Sequence, residues 1–191
     1  MSRQKGDIMR EVMISIKPRW VELIASGNKT IEVRKTRPKC ETPFKCYIYC
    51  TNWKDNTYWK NHYKGKLGKV IGEFVCDRID EFSVPYPAYF SEVDSNTESI
   101  IKSACLKPMD IHAYNGTHQT YGWHITDLVV YDEPRELSEF YNYCNGLCFD
   151  SSIKYRCVRF NPDSPYVCDH IKPLKRPPQS WCYIEPRQTA D

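Results

Sequence analysis

The chain has 191 residues and a formal net charge of +3, which suits one domain with elaborations and is too weakly basic to indicate nucleic-acid binding by charge alone. Hydrophobic residues make up 41% of it, enough to bury a core, so wholesale disorder does not fit. Aromatic residues reach 14%, a content that favours β-structure or stacking surfaces.

Ten cysteines raise the questions of compartment and metal binding. Residues 1–11 are polar and are predicted to form a flexible N-terminal segment. They lack the apolar segment of a signal peptide. No apolar run approaches the ~18 residues of a membrane span. We therefore expect a cytoplasmic protein with reduced thiols and no membrane association. The cysteine spacings match no paired zinc knuckle, so we predict no metal and no other cofactor.

The first predicted elements are a strand and a short helix. Residues 12–16 alternate as a strand does. Pro18 suits the first position of a helix, and Gly27 follows the point where that helix should end. Trp20 belongs to the apolar stripe of the helix, although its ring could also serve as a stacking surface.

The second predicted strand, residues 29–35, carries the main candidate site. Its apolar Ile31 and Val33 face one way, so the alternation puts the polar side chains on the opposite face. Those polar side chains are Thr30, Glu32 and Arg34, which directly follow Lys29. Polar groups in such number on a strand indicate a site built on a rigid element.

The rest of the pattern is mostly β. Strands are predicted over residues 44–51, 67–82, 120–131, 155–160 and 181–185, and helices over residues 99–106, 107–114 and 136–143. The alternation within 120–131 slips between Ile125 and Leu128, as a β-bulge would cause. This order predicts an α+β fold, a mixed β-barrel of five to seven strands with short helices packed around it.

Three segments share their pattern with a known family. The first runs from Ile14 to Pro18 and on through Gly27 to Lys29-Thr30-Ile31-Glu32-Val33-Arg34; the others are Lys69 to Phe74 and Gly122 to Ile125. Together they resemble the ASCH domain family of the PUA-like superfamily, and most of all ASCH proteins of Firmicutes phages and mobile elements. The resemblance covers residues 12–132, so we expect residues 133–191 to form an extension that packs on the barrel or completes it.

The resemblance implies a cleft beside the first helix and second strand in which relatives bind RNA, a nucleotide or a modified nucleoside. The residues expected to line it are Lys17, Trp20, Lys29, Thr30, Glu32, Arg34 and Trp123. Lys29 and Arg34 suit anionic or carbonyl oxygens, and Glu32 suits a base amino group or a ribose hydroxyl. Arg19 would add positive charge at the mouth, and Trp20 or Trp123 would stack on a base.

Two alternatives stay open. One branch of the family hydrolyses the amide of N4-acetylcytidine, which implies an amidohydrolase acting on an acylated nucleoside with Lys29, Thr30 and Glu32 as catalytic residues. Here Glu32 occupies the position of that branch's threonine, and a nearby carboxylate keeps Lys29 a cation and so a poor base. The second alternative is a phage-encoded protein-interaction module acting on a host protein.

Overall fold

The computed structural model describes residues 11–52, 65–87, 93–143 and 171–185. Within these ranges the chain forms eight strands, three α-helices and a 3-10 turn at Leu137–Glu139. In chain order the elements are β1 (Glu11–Ile16), α1 (Pro18–Ala25), β2 (Ile31–Arg34), β3 (Phe44–Cys50), β4 (Val70–Cys76), β5 (Ile79–Phe82), α2 (Ser95–Ser103), α3 (Pro108–Asn115), β6 (Thr120–His124), β7 (Thr126–Arg135) and β8 (Trp181–Ile184). The strand predicted over residues 155–160 lies outside the described residues.

The strands form two sheets. The large sheet has the order β7-β4-β3-β1-β8, in which β1 and β3 run parallel and all other neighbours run antiparallel. The small sheet has the order β2-β6-β5 and is antiparallel throughout. Helix α1 joins β1 of the large sheet to β2 of the small one. The predicted α+β class is therefore confirmed.

Two strands predicted as continuous are each divided between the sheets. The predicted strand 67–82 is β4 and β5, which separate at Asp77 and Arg78. The predicted strand 120–131 is β6 and β7, which separate at Ile125, and Asp127 just beyond has a positive φ of 47°. The predicted slip between Ile125 and Leu128 is present. Just after the change of sheet at Ile125, the pairing of β4 with β7 shifts register between Val75–Thr126 and Glu73–Val129, as a β-bulge causes. Apolar residues continue through both corners because β5 buries Phe82, while β7 packs the half-buried Leu128 and Tyr131 against the cores.

The main hydrophobic core lies between the two sheets and α1. Ile14 of β1, Ile24 of α1, Ile48 of β3 and Phe74 of β4 are all buried in it. Trp123 enters from β6, is fully buried and meets Phe44 edge to face, with 5.7 Å between the ring centroids. This core fixes the small sheet against the large one.

Helices α2 and α3 cover the other face of the small sheet, where Ile31 and Val33 pack against Ile100 and Ile111. Helix α2 begins at Ser95, earlier than the predicted residue 99. The reason is the side chain of Asp94, which accepts hydrogen bonds from the first backbone amides of the helix at 3.0 Å. The helix predicted over 136–143 is only the 3-10 turn.

The far face of the large sheet has its own smaller core. Met13, Tyr47 and Ile184 are buried there, and Phe140 covers them with its ring 5.0 Å from that of Tyr47. Strand β8 pairs with β1 along its whole length, so it is an edge strand of the sheet. Strand β7 runs through the domain boundary expected at residue 132.

The thiols on the strands behave as apolar core groups. Among the cysteines in the described ranges, Cys46, Cys50 and Cys76 are free thiols and are buried. Burial raises the pKa of the Cys50 and Cys76 thiols to about 12, which removes the thiolate that reactivity requires.

The described residues contain no cluster of three or more metal-ligating side chains. They also contain no helix long and apolar enough to span a bilayer.

A polar group lies beside the smaller core. Glu73 of β4 accepts a hydrogen bond from the Tyr131 hydroxyl at 2.6 Å and another from Lys45 Nζ at 3.0 Å. Burial alone would raise the pKa of this carboxyl, but these two hydrogen bonds outweigh it and hold the pKa below its usual value near 4.5.

Gly72→Ala should destabilise the fold more than Gly122→Ala. A Cβ on Gly72 would lie 2.4 Å from the backbone carbonyl oxygen of Val129, and the backbone of β7 cannot yield cheaply. A Cβ on Gly122 would meet side-chain atoms, the Cγ2 methyls of Ile100 and Ile31 at 3.1 Å and Cε1 of Phe82 at 3.7 Å. We expect a loss of about 2–3 kcal/mol for Gly72→Ala and about 1 kcal/mol for Gly122→Ala, measured by urea denaturation. Equal losses would contradict the tight β4–β7 approach.

The Glu73 carboxylate should make stability depend on pH below about 5. Because the folded pKa is lowered, ionised Glu73 stabilises the fold above its usual pKa near 4.5, and this contribution is lost as the pH falls through the folded value. The difference in unfolding free energy between wild type and Glu73→Gln should therefore be larger at pH 7 than at pH 3.5. A difference that is independent of pH would refute this role.

Candidate functional site

A cavity of about 610 Å³ lies where α1, β2, α3 and the chain before β8 meet. Its lining includes four cationic side chains, Lys17, Arg19, Lys29 and Arg34, and two carboxylates, Glu32 and Asp110. The excess of positive charge favours an anionic ligand. The volume is within the usual range for small-molecule pockets.

Three ionised side chains form the floor of the cavity. The Glu32 carboxylate lies between two cations, 3.4 Å from Lys29 Nζ and 3.2 Å from Arg34 Nη1. The side chains of Lys29, Glu32 and Arg34 are only 2%, 5% and 12% exposed. Removing three charges from water is costly unless they satisfy one another. We call these residues the floor network.

Local structure sets the position of Lys29. Gly27, with φ of 74°, turns the chain out of α1, and the amide of Lys29 donates to the carbonyl of Leu23. The ammonium then donates to the backbone carbonyl of Ala104 at 2.7 Å. Ala104 is the C-cap of α2, where unpaired carbonyls and the helix dipole favour a cation.

Arg34 is held by the end of β1. Its Nη2 donates to the carbonyl oxygen of Ser15 at 2.6 Å. Ser15 is itself held by the chain before β8, because its hydroxyl donates to the Pro178 carbonyl at 2.6 Å and its amide donates to the Ser180 carbonyl at 2.9 Å. Gln179 and Ser180 consequently form a fixed wall of the cavity.

Two atoms of the floor network lack a hydrogen-bond partner among the described residues. They are the acceptor Oε2 of Glu32 and the donor Nε of Arg34, both buried. Oε2 faces the Lys29 ammonium at 3.4 Å without making a hydrogen bond. A buried polar atom without a partner costs about 1–3 kcal/mol. Such atoms at a cavity floor are candidates for contact with a ligand.

Two aromatic rings line the cavity. The half-buried Trp20 ring has the Arg19 guanidinium 4.8 Å and the Lys29 ammonium 5.2 Å from its centroid. The Tyr114 ring, on α3, is 39% exposed and has the Lys35 ammonium 4.7 Å from its centroid. Cations at these distances attract an aromatic ring and restrain it.

The structure brings together five of the residues expected in the cleft: Lys17, Trp20, Lys29, Glu32 and Arg34 all line the cavity. Thr30 and Trp123 do not, which corrects their expected placement. Thr30 precedes β2 and is exposed outside the cavity. Its backbone amide donates a hydrogen bond to the Ser103 carbonyl, and its carbonyl accepts one from the Ile125 amide. Trp123 is fully buried between Phe44 and Trp181.

Part of the cavity is not indicated by the sequence pattern. Asp110 and Tyr114 come from α3, and Gln179 and Ser180 come from the chain before β8. The helix carrying Asp110 and Tyr114 is predicted at residues 107–114, but no periodicity or motif connects it to β2. The contact of Ser15 with Pro178 spans 163 positions, so no local pattern could have indicated it.

The comparisons with known proteins concern the fold. No family model matches the sequence, and neither does any curated protein. The crystal structure of ASCH from Zymomonas mobilis matches with a TM-score of 0.53 at 19% identity, over 91% of this chain and 86% of that one. A crystal structure of a serine-to-alanine mutant of ZmASCH, from the same organism, matches with a TM-score of 0.54 at 18% identity, over 92% of this chain and 89% of that one.

The fold is that of ASCH proteins. At 18–19% identity the likeness establishes the fold of this chain. The predicted mixed β architecture with short helices is confirmed by it, together with the sheets of five and three strands. Within this ASCH fold the cavity lies between α1 and β2, the two elements on which the sequence resemblance is strongest.

Replacement of the central carboxylate should test the floor network. Glu32→Gln would leave Lys29 and Arg34 as two buried cations without a counterion, so we expect a loss of about 3–5 kcal/mol of unfolding free energy. The matched control is Glu81→Gln, which removes a carboxylate from a half-exposed ion pair with Arg37 and should cost less than about 1 kcal/mol. If urea denaturation gives equal losses of unfolding free energy for the two variants, the buried floor network stabilises the fold no more than an exposed ion pair does.

Proposed function

We propose that the protein binds a nucleotide, or one nucleotide of a single-stranded RNA, in the cavity above the floor network. The observation that carries this proposal is the buried set Lys29, Glu32 and Arg34 beside the half-buried ring of Trp20. Charged hydrogen-bonding groups next to an aromatic ring are what a nucleotide requires of its site.

The dimensions and charge of the cavity support this ligand class. A volume of about 610 Å³ accommodates a nucleoside with its phosphate. The cations Lys17 and Arg19 stand exposed on the wall formed by α1, where a phosphate would meet them. Contacts of this kind give affinity for nucleic acid without depending on base sequence.

The rings of Trp20 and Tyr114 supply stacking surfaces. Stacking of a base on an aromatic ring contributes about 1–3 kcal/mol and tolerates any base. Arg19 lies against the Trp20 ring and Lys35 lies against the Tyr114 ring. A base stacked on either ring would therefore bring its phosphate close to a cation.

The cost of the floor network also favours a binding role. Three ion-paired side chains in a nearly dry position contribute less to stability than a well-packed apolar group would. Their position at the floor of a cavity makes ligand recognition the simplest reason for them.

The geometry favours binding over amide hydrolysis. Thr30 lies outside the cavity and cannot act as a nucleophile on a ligand bound there. The Lys29 ammonium donates to the Ala104 carbonyl and faces the Glu32 carboxylate. Both contacts use Lys29 as a hydrogen-bond donor and ion-pair partner, which suits recognition of a ligand better than proton transfer.

The test is a binding experiment with two matched arginine variants. Wild type, Arg19→Ala and Arg37→Ala would be titrated by calorimetry with the four ribonucleoside 5′-monophosphates and with single-stranded RNA hexamers. Arg19 lines the cavity, whereas Arg37 pairs with Glu81 on the surface away from it. Both variants remove one positive charge.

We expect wild type and Arg37→Ala to bind alike, and Arg19→Ala to bind about 5- to 20-fold more weakly with a shallower salt dependence. A bound ligand at 100 times its Kd should also raise the unfolding free energy by about 2.7 kcal/mol. The proposal fails if no ligand binds, or if both variants lose affinity equally.

A further inference from the structure

The cavity differs in chemistry between its floor and its rim. The floor holds the buried carboxylate of Glu32 between the cations Lys29 and Arg34, so its charges are largely satisfied within the floor network. The exposed cations Lys17 and Arg19 lie on the α1 wall, and Lys35 lies outside against the ring of Tyr114. A ligand with one anionic end and one neutral end therefore meets different groups at its two ends.

The floor network has one donor and one acceptor to spare. Arg34 directs Nη1 to Glu32 and Nη2 to the Ser15 carbonyl, which leaves Nε without a partner among the described residues. Glu32 directs Oε1 to Arg34, and its Oε2 faces the Lys29 ammonium at 3.4 Å without a hydrogen bond from any described residue. The two unsatisfied atoms belong to side chains two positions apart on β2, on one face of the strand.

A phosphate does not match this pair. Its oxygens could accept from Arg34 Nε, but they would lie against the Oε2 of Glu32, where like charges repel. The Watson–Crick edge of a nucleobase does match, because every base presents a donor beside an acceptor there. The terminal torsion of a glutamate is soft, so a small rotation turns Oε2 toward a ligand that enters the cavity.

We infer that the nucleotide enters base first, with its Watson–Crick edge on Glu32 Oε2 and Arg34 Nε and its phosphate at the cationic rim near Arg19. This inference rests on the proposed function and specifies how that site is used. It makes Glu32 a ligand-reading residue in addition to its part in the floor network.

The experiment compares each ribonucleoside 5′-monophosphate with a counterpart whose edge is blocked by methyl groups. The counterparts, whose bases stay uncharged, are 3-methyluridine, 1-methylguanosine, N4,N4-dimethylcytidine and N6,N6-dimethyladenosine 5′-monophosphates. Calorimetry on the wild-type protein needs no variant that could fail to fold. We expect methylation to weaken binding of the nucleotide tenfold or more, since loss of a paired base-edge contact costs about 1–3 kcal/mol.

A second comparison places the phosphate. Arg19→Ala should weaken a nucleoside monophosphate several-fold more than the corresponding nucleoside, which loses only what Arg19 contributes through the Trp20 ring, while Arg37→Ala should alter neither. Ribose 5-phosphate, which has no base edge, should bind far more weakly than the nucleotide.

The outcomes separate the two proposals. Nucleotides that bind equally well with and without the methyl groups overturn the base-first orientation and leave nucleotide binding intact. The orientation is also overturned if Arg19→Ala weakens nucleoside and nucleotide equally. If no nucleotide or nucleoside binds, the proposed function itself falls, and this inference falls with it.

Discussion

The contact that the rest of the site depends on is the hydrogen bond from Lys29 Nζ to the carbonyl of Ala104. It ties the start of β2 to the C-terminus of α2, and it buries a positive charge where a helix end favours one. That charge makes a buried Glu32 tolerable, and Glu32 in turn holds Arg34. Fold and site are therefore joined, because α2 stays in place partly through the residues that form the cavity floor.

Much of this region follows from local rules that a sequence displays. Pro18 and Gly27 bound α1 because one pre-sets a helical φ and the other accepts a positive φ. Glu32 and Arg34 face the cavity together because side chains alternate along a strand. These effects act within a few residues of one another, so the pattern alone predicts the element order and the centre of the site.

What escaped prediction depends on distant parts of the chain. Alternation in β6 does not reveal whether a side chain faces a cavity or a second sheet. The burial of Trp123 depends on Phe44 and Trp181, which lie far from it in the sequence and pack around its ring. The corner at Ile125 was not predicted for a similar reason, because apolar side chains continue from β6 into β7 on both sides of it. The cavity wall at Gln179 depends on pairing between β1 and β8, which no local pattern encodes.

The pairing of β1 with β8 also has a consequence for co-translational folding. Ser15 is positioned by Pro178, 163 positions later, and Arg34 is positioned by Ser15. Contacts of such long sequence separation form late, because the entropy of closing the loop must be overcome before they can contribute. The wall of the cavity at Gln179 and Ser180 can therefore form only after synthesis has passed β8.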